Sequence, residues 1–261
     1  MNCKICGSIS DFFADGKILN KYNIKYFKCK KCDFIQSEEP YWLDESYKEV
    51  INRSDIGYVN RNLILSKITA KIIDRFFQKD AKFIDYGGGY GLFVRLMRDS
   101  GFDFYHYDKL CENIFAKDFE AEKQNNQRFE LATSIELFEH FLNPIEEFEN
   151  ILKYSGNIFI STFLIPENYP KPGEWWYYGL EHGQHISIFS LKAFEFIARK
   201  YKLNFISNKK NLHILSEKKI NPLIFRFINY YNALITLKPL SRKKSLTDFD
   251  FEKIIKLQQG E

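Results

Sequence analysis

Four glycines fall within five residues of this 261-residue chain, at Gly87, Gly88, Gly89 and Gly91. They lie between an apolar run, AKFIDYG, and the helix-like YGLFVRLMRDSG, so they join a strand to a helix. Glycines at such a junction let the backbone approach a ligand, and the helix N-terminus faces that ligand. A nucleotide-like cofactor is therefore indicated. A dinucleotide fingerprint would need another glycine at position 92, which is Leu92.

Strands and helices alternate along most of the chain. The apolar runs FDFYHYD, FELATSIE and GNIFISTFL are typical of strands. Helices are predicted over 57–78, from Pro144 to about Tyr154, and after the capping residue Ser190. The runs LNFIS and NLHILSE are joined by a turn too short for a crossover helix, so these two strands must be antiparallel. The pattern predicts an α/β fold with a parallel sheet finished by one antiparallel hairpin.

The glycine segment resembles motif I of S-adenosylmethionine (SAM) dependent methyltransferases, which reads acidic-x-G-x-G-x-G. Asp85, Gly87, Gly89 and Gly91 occupy the matching places. The expected sheet is also the topology of the class I enzymes, so the resemblance implies their Rossmann-like fold. It further implies that the loop packs against the methionine end of SAM. Asp108, which ends the next strand, would then hydrogen-bond both ribose hydroxyls.

The resemblance continues at TSIELFEH, which is similar to a segment reading S-x-E-V-x-E-H in many of these enzymes. It implies that Ser134 and Glu136 lie near the cofactor. For Glu139 and His140, a role at the site and a plain role as polar residues of a helix's first turn both stay open.

The adenine side of the expected SAM site has few residues to form it. The segment that separates Asp108 from the next strand, 109–128, has too few residues for two full helices and a strand. We therefore expect an abbreviated wall there. Within it, the resemblance implies Asp118 and Phe119 as neighbours of the adenine.

Four of the five cysteines form two C-x-x-C pairs, Cys3 with Cys6 and Cys29 with Cys32. The flanking runs CKICG and CKKCDFIQ resemble the two knuckles of a zinc ribbon. Four thiolates close a tetrahedral Zn²⁺ site and leave no position for water, so the predicted metal is structural. Reduced structural thiols and an iron-sulfur site are the alternatives.

A 25-residue loop, 165–189, is predicted between a strand and the next helix, and loops this long in a compact domain are usually functional. It holds two tryptophans, three tyrosines and a cluster of polar side chains. A hydroxyl acceptor of a methyl group must be aligned and must lose its proton as it attacks, a task that suits histidine. His185 is our first choice for the base and His182 the second, with Glu181 orienting a histidine or the substrate.

The cysteine pairs, the glycine segment and the run HISIFS together resemble the sugar methyltransferases of deoxysugar and surface-polysaccharide pathways, over roughly 1–215. The C-methylating branch usually reads H-E-H-x-S-x-F-S. Here Gly183 and Gln184 replace the first two residues of that pattern and His185 remains. The departure favours O-methylation of a sugar, nucleotide-linked or free, or of a similar small polyol.

The formal charge of +4 is too small for a dedicated nucleic-acid-binding protein. Residues 209–261 have a local charge of +6, whereas 1–40 reach only +2. We therefore expect a small-molecule acceptor and no nucleic acid. An RNA methyltransferase with a zinc ribbon and a SAM-binding interaction module without turnover stay open as alternatives.

The sequence predicts a zinc ribbon over 1–40, a helical linker or lid over 41–80, a SAM-binding domain over 81–219 and a basic helical extension over 220–261. Within the extension, 222–237 is apolar and flanked by lysines. It would suit a membrane surface, a homodimer contact or a helix covering the sheet. The N-terminus lacks a signal-like pattern and no run of about 18 uncharged apolar residues occurs, so a cytoplasmic protein is expected.

Overall fold

The computed structural model describes residues 1–48, 55–124, 128–232, 246 and 249. The strands are β1 (Ser10–Ile18), β2 (Tyr22–Cys29), β3 (Ile35–Ser37), β4 (Lys82–Tyr86), β5 (Asp103–Tyr107), β6 (Leu131–Ile135), β7 (Asn157–Ser161), β8 (Ser187–Ile188), β9 (Asn204–Ser207) and β10 (Leu212–Ser216). The α-helices are α1 (Leu43–Ser46), α2 (Tyr58–Phe76), α3 (Leu92–Asp99), α4 (Pro144–Tyr154), α5 (Leu191–Tyr201) and α6 (Pro222–Asn232).

The larger sheet has six strands in the order β5-β4-β6-β7-β10-β9. Strand β4 pairs in parallel with β5 and β6, so that Asp85 lies beside His106 and Thr133. Four of the five residues of β4 are buried, as expected for a parallel strand covered on both faces. Strands β9 and β10 pair antiparallel. The predicted α/β fold, a parallel sheet finished by one antiparallel hairpin, is confirmed.

The predicted helix boundaries agree with local chemistry. Helix α4 runs over the predicted range, Pro144–Tyr154. Helix α5 begins after Ser190, whose hydroxyl accepts the backbone N–H of Ala193 at 3.0 Å. This bond satisfies one of the N–H groups that have no partner within a helix's first turn. Both predictions depend only on neighbouring residues and both are confirmed.

A second sheet has four strands in the order β1-β2-β3-β8. Three of them belong to the segment predicted as the zinc ribbon. The fourth, β8, follows His185 in the predicted loop, and it pairs antiparallel with β3 through Ile35 with Ile188 and Gln36 with Ser187. The end of the loop over 165–189 is therefore a strand of the ribbon's sheet.

The chain forms two compact units, which we describe separately over their described residues. The first, the ribbon unit, comprises Met1–Arg53, Ile135–Leu152 and Ile160–Lys219. The second, the glycine-loop unit, comprises Ser54–Ser134, Lys153–Phe159 and Ile220–Glu261.

The core of the ribbon unit combines residues from the ribbon strands and from the long loop. Ile24, Tyr26 and Ile35 of the strands form one buried cluster with Tyr178 and Ile188 of the loop. The rings of Tyr26 and Tyr178 meet edge to face, with centroids 5.2 Å apart. Such contacts add to the stabilisation from burying the rings. The loop and the ribbon therefore share one hydrophobic core.

In the glycine-loop unit, the segment between β5 and β6 has little regular structure in its described residues, as its length predicts. Between β5 and β6, the described residues contain a single regular element, the 3₁₀ turn Ala121–Lys123. Helix α6 covers the described part of the apolar segment 222–237, where Phe225 and Ile228 are buried and Leu223 is exposed. No helix in the described ranges is long and apolar enough to cross a membrane. Positions 233–237 lie outside the described residues, and the membrane and homodimer hypotheses stay predictions.

Candidate cofactor and acceptor sites

The glycine loop adopts backbone angles that favour glycine. Gly87, Gly89 and Gly91 have φ values of 77°, 55° and 85°, the left-handed region that other residues rarely adopt. Gly91 precedes the first residue of α3, and a Cβ at this position would clash with the side-chain oxygen of Asn113. The loop at the start of α3 therefore requires glycine for both its conformation and its close contacts.

Asp108 lies against this loop. Its Oδ2 accepts the backbone N–H of Gly89 at 2.9 Å, and its Oδ1 accepts those of Leu110 and Cys111 at 2.7 and 2.8 Å. The same carboxylate lines a cavity of about 360 Å³. The structure thus places the predicted ribose-binding acid against the glycine loop and at the wall of a cavity. The glycine backbone and this acid fit the cofactor that the sequence implies.

Asp85 lies next to the loop, where a Cβ on Gly88 would meet its Oδ2 at 2.9 Å. Its side chain is buried, and the Thr133 hydroxyl donates a hydrogen bond to its Oδ1 at 2.6 Å. Burial raises the pKa of Asp85 to about 7, and the nearby charge of Asp108 acts in the same direction, whereas the bond from Thr133 opposes the rise. Asp85 is therefore a buried neighbour of the loop.

His106 also contacts the loop, and the sequence analysis missed it. Its Nε2 lies 2.7 Å from the carbonyl oxygen of Gly89, and its ring lines the same cavity as Asp108. The sequence held a signal for His106, because side chains two positions apart in a strand lie on the same face, and residue 106 is two before Asp108.

The two residues predicted to lie near the adenine have different surroundings. Asp118 lines the cavity. Phe119 is fully buried, and the guanidinium carbon of Arg98 lies 3.6 Å from its ring centroid. The backbone carbonyl of Phe119 accepts the N–H of His106 at 2.7 Å. The Phe119 side chain therefore packs in the interior of the glycine-loop unit.

Ser134 and Glu136 are also partly or fully enclosed. Ser134, in the glycine-loop unit, is fully buried. Glu136, in the ribbon unit, is half-buried, and its carboxylate accepts a hydrogen bond from the Ser161 hydroxyl. Their role in cofactor binding stays a prediction.

Three histidines meet in the ribbon unit: His140, His182 and His185. The ring centroid of His185 lies 4.8 Å from that of His182 and 4.9 Å from that of His140. Nδ1 of His185 is 2.6 Å from the carbonyl oxygen of Tyr177, and Nδ1 of His140 is 3.0 Å from the Tyr47 hydroxyl. The two predicted histidines are adjacent, and His140, whose role the sequence left open, lies with them.

The carboxylate next to these histidines is Glu139. It is fully buried, and its Oε2 accepts a hydrogen bond from the Thr162 hydroxyl at 2.8 Å. The Tyr177 hydroxyl lies 3.0 Å from Thr162 Oγ1. Burial raises the pKa of Tyr177 well above its ordinary value and the charge of Glu139 acts in the same direction, so Tyr177 stays a hydrogen-bond donor. Glu181, the predicted orienting carboxylate, is exposed.

The four predicted cysteine ligands converge at one point of the ribbon unit. Their sulfur atoms all lie within 4.8 Å of one another, with Cys3 Sγ 3.6 Å from Cys32 Sγ and Cys6 Sγ 3.4 Å from Cys29 Sγ. Zn–S bonds of about 2.3 Å in a tetrahedron separate the sulfurs by about 3.8 Å. The arrangement fits a four-thiolate Zn²⁺ site.

Comparison with known proteins supports a single family. Residues 60–208 match a family model described as a methyltransferase domain. No curated protein sequence matches the chain.

Several solved methyltransferase structures share low similarity with the chain. The plantazolicin methyltransferase BpumL, in complex with a monoazolic desmethylPZN analog and SAH, is 15% identical, with a TM-score of 0.47 over 76% of this chain and 88% of that one. Human N-acetylserotonin methyltransferase, in complex with SAM, is 12% identical, with a TM-score of 0.42 over 68% of this chain and 66% of that one. Likenesses this distant say nothing about the acceptor.

The matched region is more than half of the chain, and it contains the glycine loop, Asp108 and the three clustered histidines, His140, His182 and His185. The sheet order and the loop geometry agree with the match. The chain therefore belongs to the methyltransferase-domain family, and it is a SAM-dependent methyltransferase of the class I fold.

Proposed function

We propose that this enzyme methylates a hydroxyl group of a sugar, nucleotide-linked or free, or of a related small polyol that serves as a building block of a surface polysaccharide. The observation that carries the proposal is the orientation of His185, whose Nδ1 lies 2.6 Å from the carbonyl oxygen of Tyr177. A carbonyl oxygen only accepts hydrogen bonds, so Nδ1 bears the hydrogen and Nε2 of the neutral ring holds the lone pair.

A lone pair on Nε2 suits the removal of a proton from an acceptor hydroxyl. SAM supplies an electrophilic methyl group on its sulfonium sulfur. The hydroxyl oxygen must be aligned with that methyl group and must lose its proton during attack. In this proposal His185 takes the proton, His182 is the second choice, and Glu181 orients a histidine or the acceptor.

The cofactor is assigned to the glycine-loop unit. Gly87, Gly89 and Gly91 would hold the methionine end of SAM, with Asp85 as a buried neighbour of the loop. Asp108 would bind the ribose, which the cavity that it lines supports. Ser134 of the same unit completes the proposed set of cofactor-binding residues.

A structural Zn²⁺ held by Cys3, Cys6, Cys29 and Cys32 is part of the proposal. The close approach of the four sulfurs supports it. Backbone N–H groups also point at the sulfurs, as from Ile5 to Cys3 Sγ at 3.4 Å and from Lys31 to Cys29 Sγ at 3.4 Å. With four thiolates the ion has no open position, so it would stabilise the ribbon and take no part in the reaction.

The sugar is favoured by the aromatic side chains near His185. Tyr177 and His185 have ring centroids 4.8 Å apart, and Trp176, which contacts Tyr177, is 68% exposed. An exposed aromatic ring can cover the apolar face of a sugar and keep water from the reacting atoms.

The test is methyl transfer from SAM to a panel of nucleotide-linked sugars and free polyols, with the methylated atom identified by mass spectrometry and NMR. His185→Gln should lower kcat by about 10² to 10⁴, because a general base contributes a factor of that order. His182→Gln, a matched change in the adjacent ring, should cost less. A product methylated on carbon, or methylation of RNA, would contradict the proposal.

A further inference from the structure

Three side chains of metal-ligating types converge in the ribbon unit at a place separate from the cysteines. A carboxylate oxygen of Glu139 and one ring nitrogen each of His140 and His185 all lie within 4.8 Å of one another. Glu139 and His140 belong to the 3₁₀ turn Phe138–His140, whereas His185 precedes β8, so the fold brings two distant segments together.

We propose that Glu139, His140 and His185 bind one divalent cation, and that this ion coordinates the acceptor hydroxyl. Three ligand atoms bound at about 2.0 to 2.2 Å to one ion lie about 3.3 to 3.8 Å apart. The three atoms here all lie within 4.8 Å of one another, so side-chain rotations that bring them closer together by up to about 1 Å would complete the site. The coordination of the acceptor hydroxyl by the ion rests on the proposed function. The binding of the ion by the three side chains does not.

Hydrogen bonds orient each of the three ligands. Thr162 donates to Glu139 Oε2 at 2.8 Å, and the Nδ1 atoms of His140 and His185 contact the Tyr47 hydroxyl and the Tyr177 carbonyl. Metal-binding histidines almost always donate their other ring N–H to an oxygen, which fixes the tautomer and the orientation of the ring. The surroundings of the cluster match those of a built metal site.

The ligand set indicates the kind of ion. Two imidazoles and one carboxylate suit Mn²⁺, Fe²⁺, Co²⁺ or Zn²⁺, whereas Mg²⁺ and Ca²⁺ prefer oxygen ligands. A cation would also neutralise the fully buried carboxylate of Glu139. Three protein ligands leave coordination positions open, which a closed four-thiolate site does not.

The ion would change the role of His185. As a ligand, Nε2 uses its lone pair on the ion and no longer accepts the proton. The ion instead lowers the pKa of the coordinated hydroxyl, and the proton leaves to water. The oxygen then forms its bond to the methyl group as the bond from methyl to sulfur breaks, and that electron pair goes to sulfur. Methyl transfer to a hydroxyl oxygen stands under either role of His185, and the dependence of activity on the second metal decides between ligand and base.

The experiment uses the full chain with its cysteine site loaded with zinc, titrated with Mn²⁺ and followed by the electron paramagnetic resonance signal of free Mn²⁺. Mn²⁺ binds more weakly than Zn²⁺ to a given site, so it does not displace zinc from the thiolates. The wild type should bind one Mn²⁺. Glu139→Gln and His140→Gln should weaken binding about tenfold or more, and His182→Gln, an adjacent ring outside the cluster, should not.

Absence of Mn²⁺ binding to the wild type would overturn the proposal, as would equal binding to the wild type and both cluster variants. The measurement on the wild type is informative even if a variant fails to fold. In the methyl-transfer assay, protein stripped of the second metal should lose activity and Mn²⁺ should restore it. Full activity of the stripped protein would overturn the ion's role and leave His185 as the base. Mn²⁺ binding without methylation of any polyol would support the site and contradict the proposed function instead.

Discussion

The shared core of the ribbon and the long loop leads to a prediction about Tyr26, a ribbon residue far from the histidines in sequence. Tyr26 is 1% exposed and its ring contacts that of Tyr178, seven residues before His185. Truncating a buried aromatic residue to alanine typically costs about 3 to 5 kcal/mol. We expect Tyr26→Ala to lower the unfolding free energy of the ribbon unit by about that amount and to lower methyl transfer, while SAM binding persists.

The contact itself is measured by a double-mutant cycle with Tyr178→Ala in urea unfolding. An edge-to-face pair contributes about 0.5 to 1.5 kcal/mol beyond area burial. The loss of unfolding free energy in the double variant should therefore differ from the sum of the two single losses by that amount. Phe12→Ala is the control, since Phe12 belongs to the same sheet but is 56% exposed, and it should cost far less. Additive losses within about 0.3 kcal/mol, together with unchanged methyl transfer by Tyr26→Ala, would refute the coupling of ribbon and loop.

Three further predictions concern the cofactor loop and the cysteines. Asp108→Ala should weaken SAM binding at least about tenfold in calorimetry, because it removes charge-assisted hydrogen bonds of about 1.5 to 3 kcal/mol and the support of Gly89; unchanged affinity would mean that another acid binds the ribose. Because burial raises the pKa of Asp85 from 3.8 to about 7, the folded state binds the proton more tightly than the unfolded state. Stability from this group is therefore lost as the pH rises across that interval, and Asp85→Asn should flatten the decline of unfolding free energy between about pH 4 and pH 7; an equal decline in both proteins would argue against a buried, protonated Asp85. Metal analysis should find one tightly bound zinc on the four cysteines, and Cys3→Ser should lose it; a folded protein without zinc would contradict the assignment.

Much of the fold follows from sequence because it depends on short-range interactions. The N-cap of α5 needs only Ser190 and the N–H three residues later. The antiparallel pair β9 and β10 follows from a connection too short for anything else. The positive φ angles of the glycine loop are available to glycine and to few other residues.

Part of the cofactor site can be predicted from the sequence for the same reason. Asp108 ends the strand after the glycine loop, and parallel neighbours end at one edge of the sheet, so the contact with Gly89 follows from the strand pairing. The packing of Phe119 under Arg98 depends on how the segment after β5 folds back, and no pattern in the sequence encodes it.

By itself, the sequence determined the α/β class, the glycine loop, the acid beside it and the cysteine pairs, because spacing along the chain encodes each of these. Only the tertiary structure decided that Glu139 and His140 lie with His185, and that β8 joins the ribbon's sheet. Those contacts join residues more than 40 positions apart. They arise from the packing of whole segments around a common core, which no local pattern specifies.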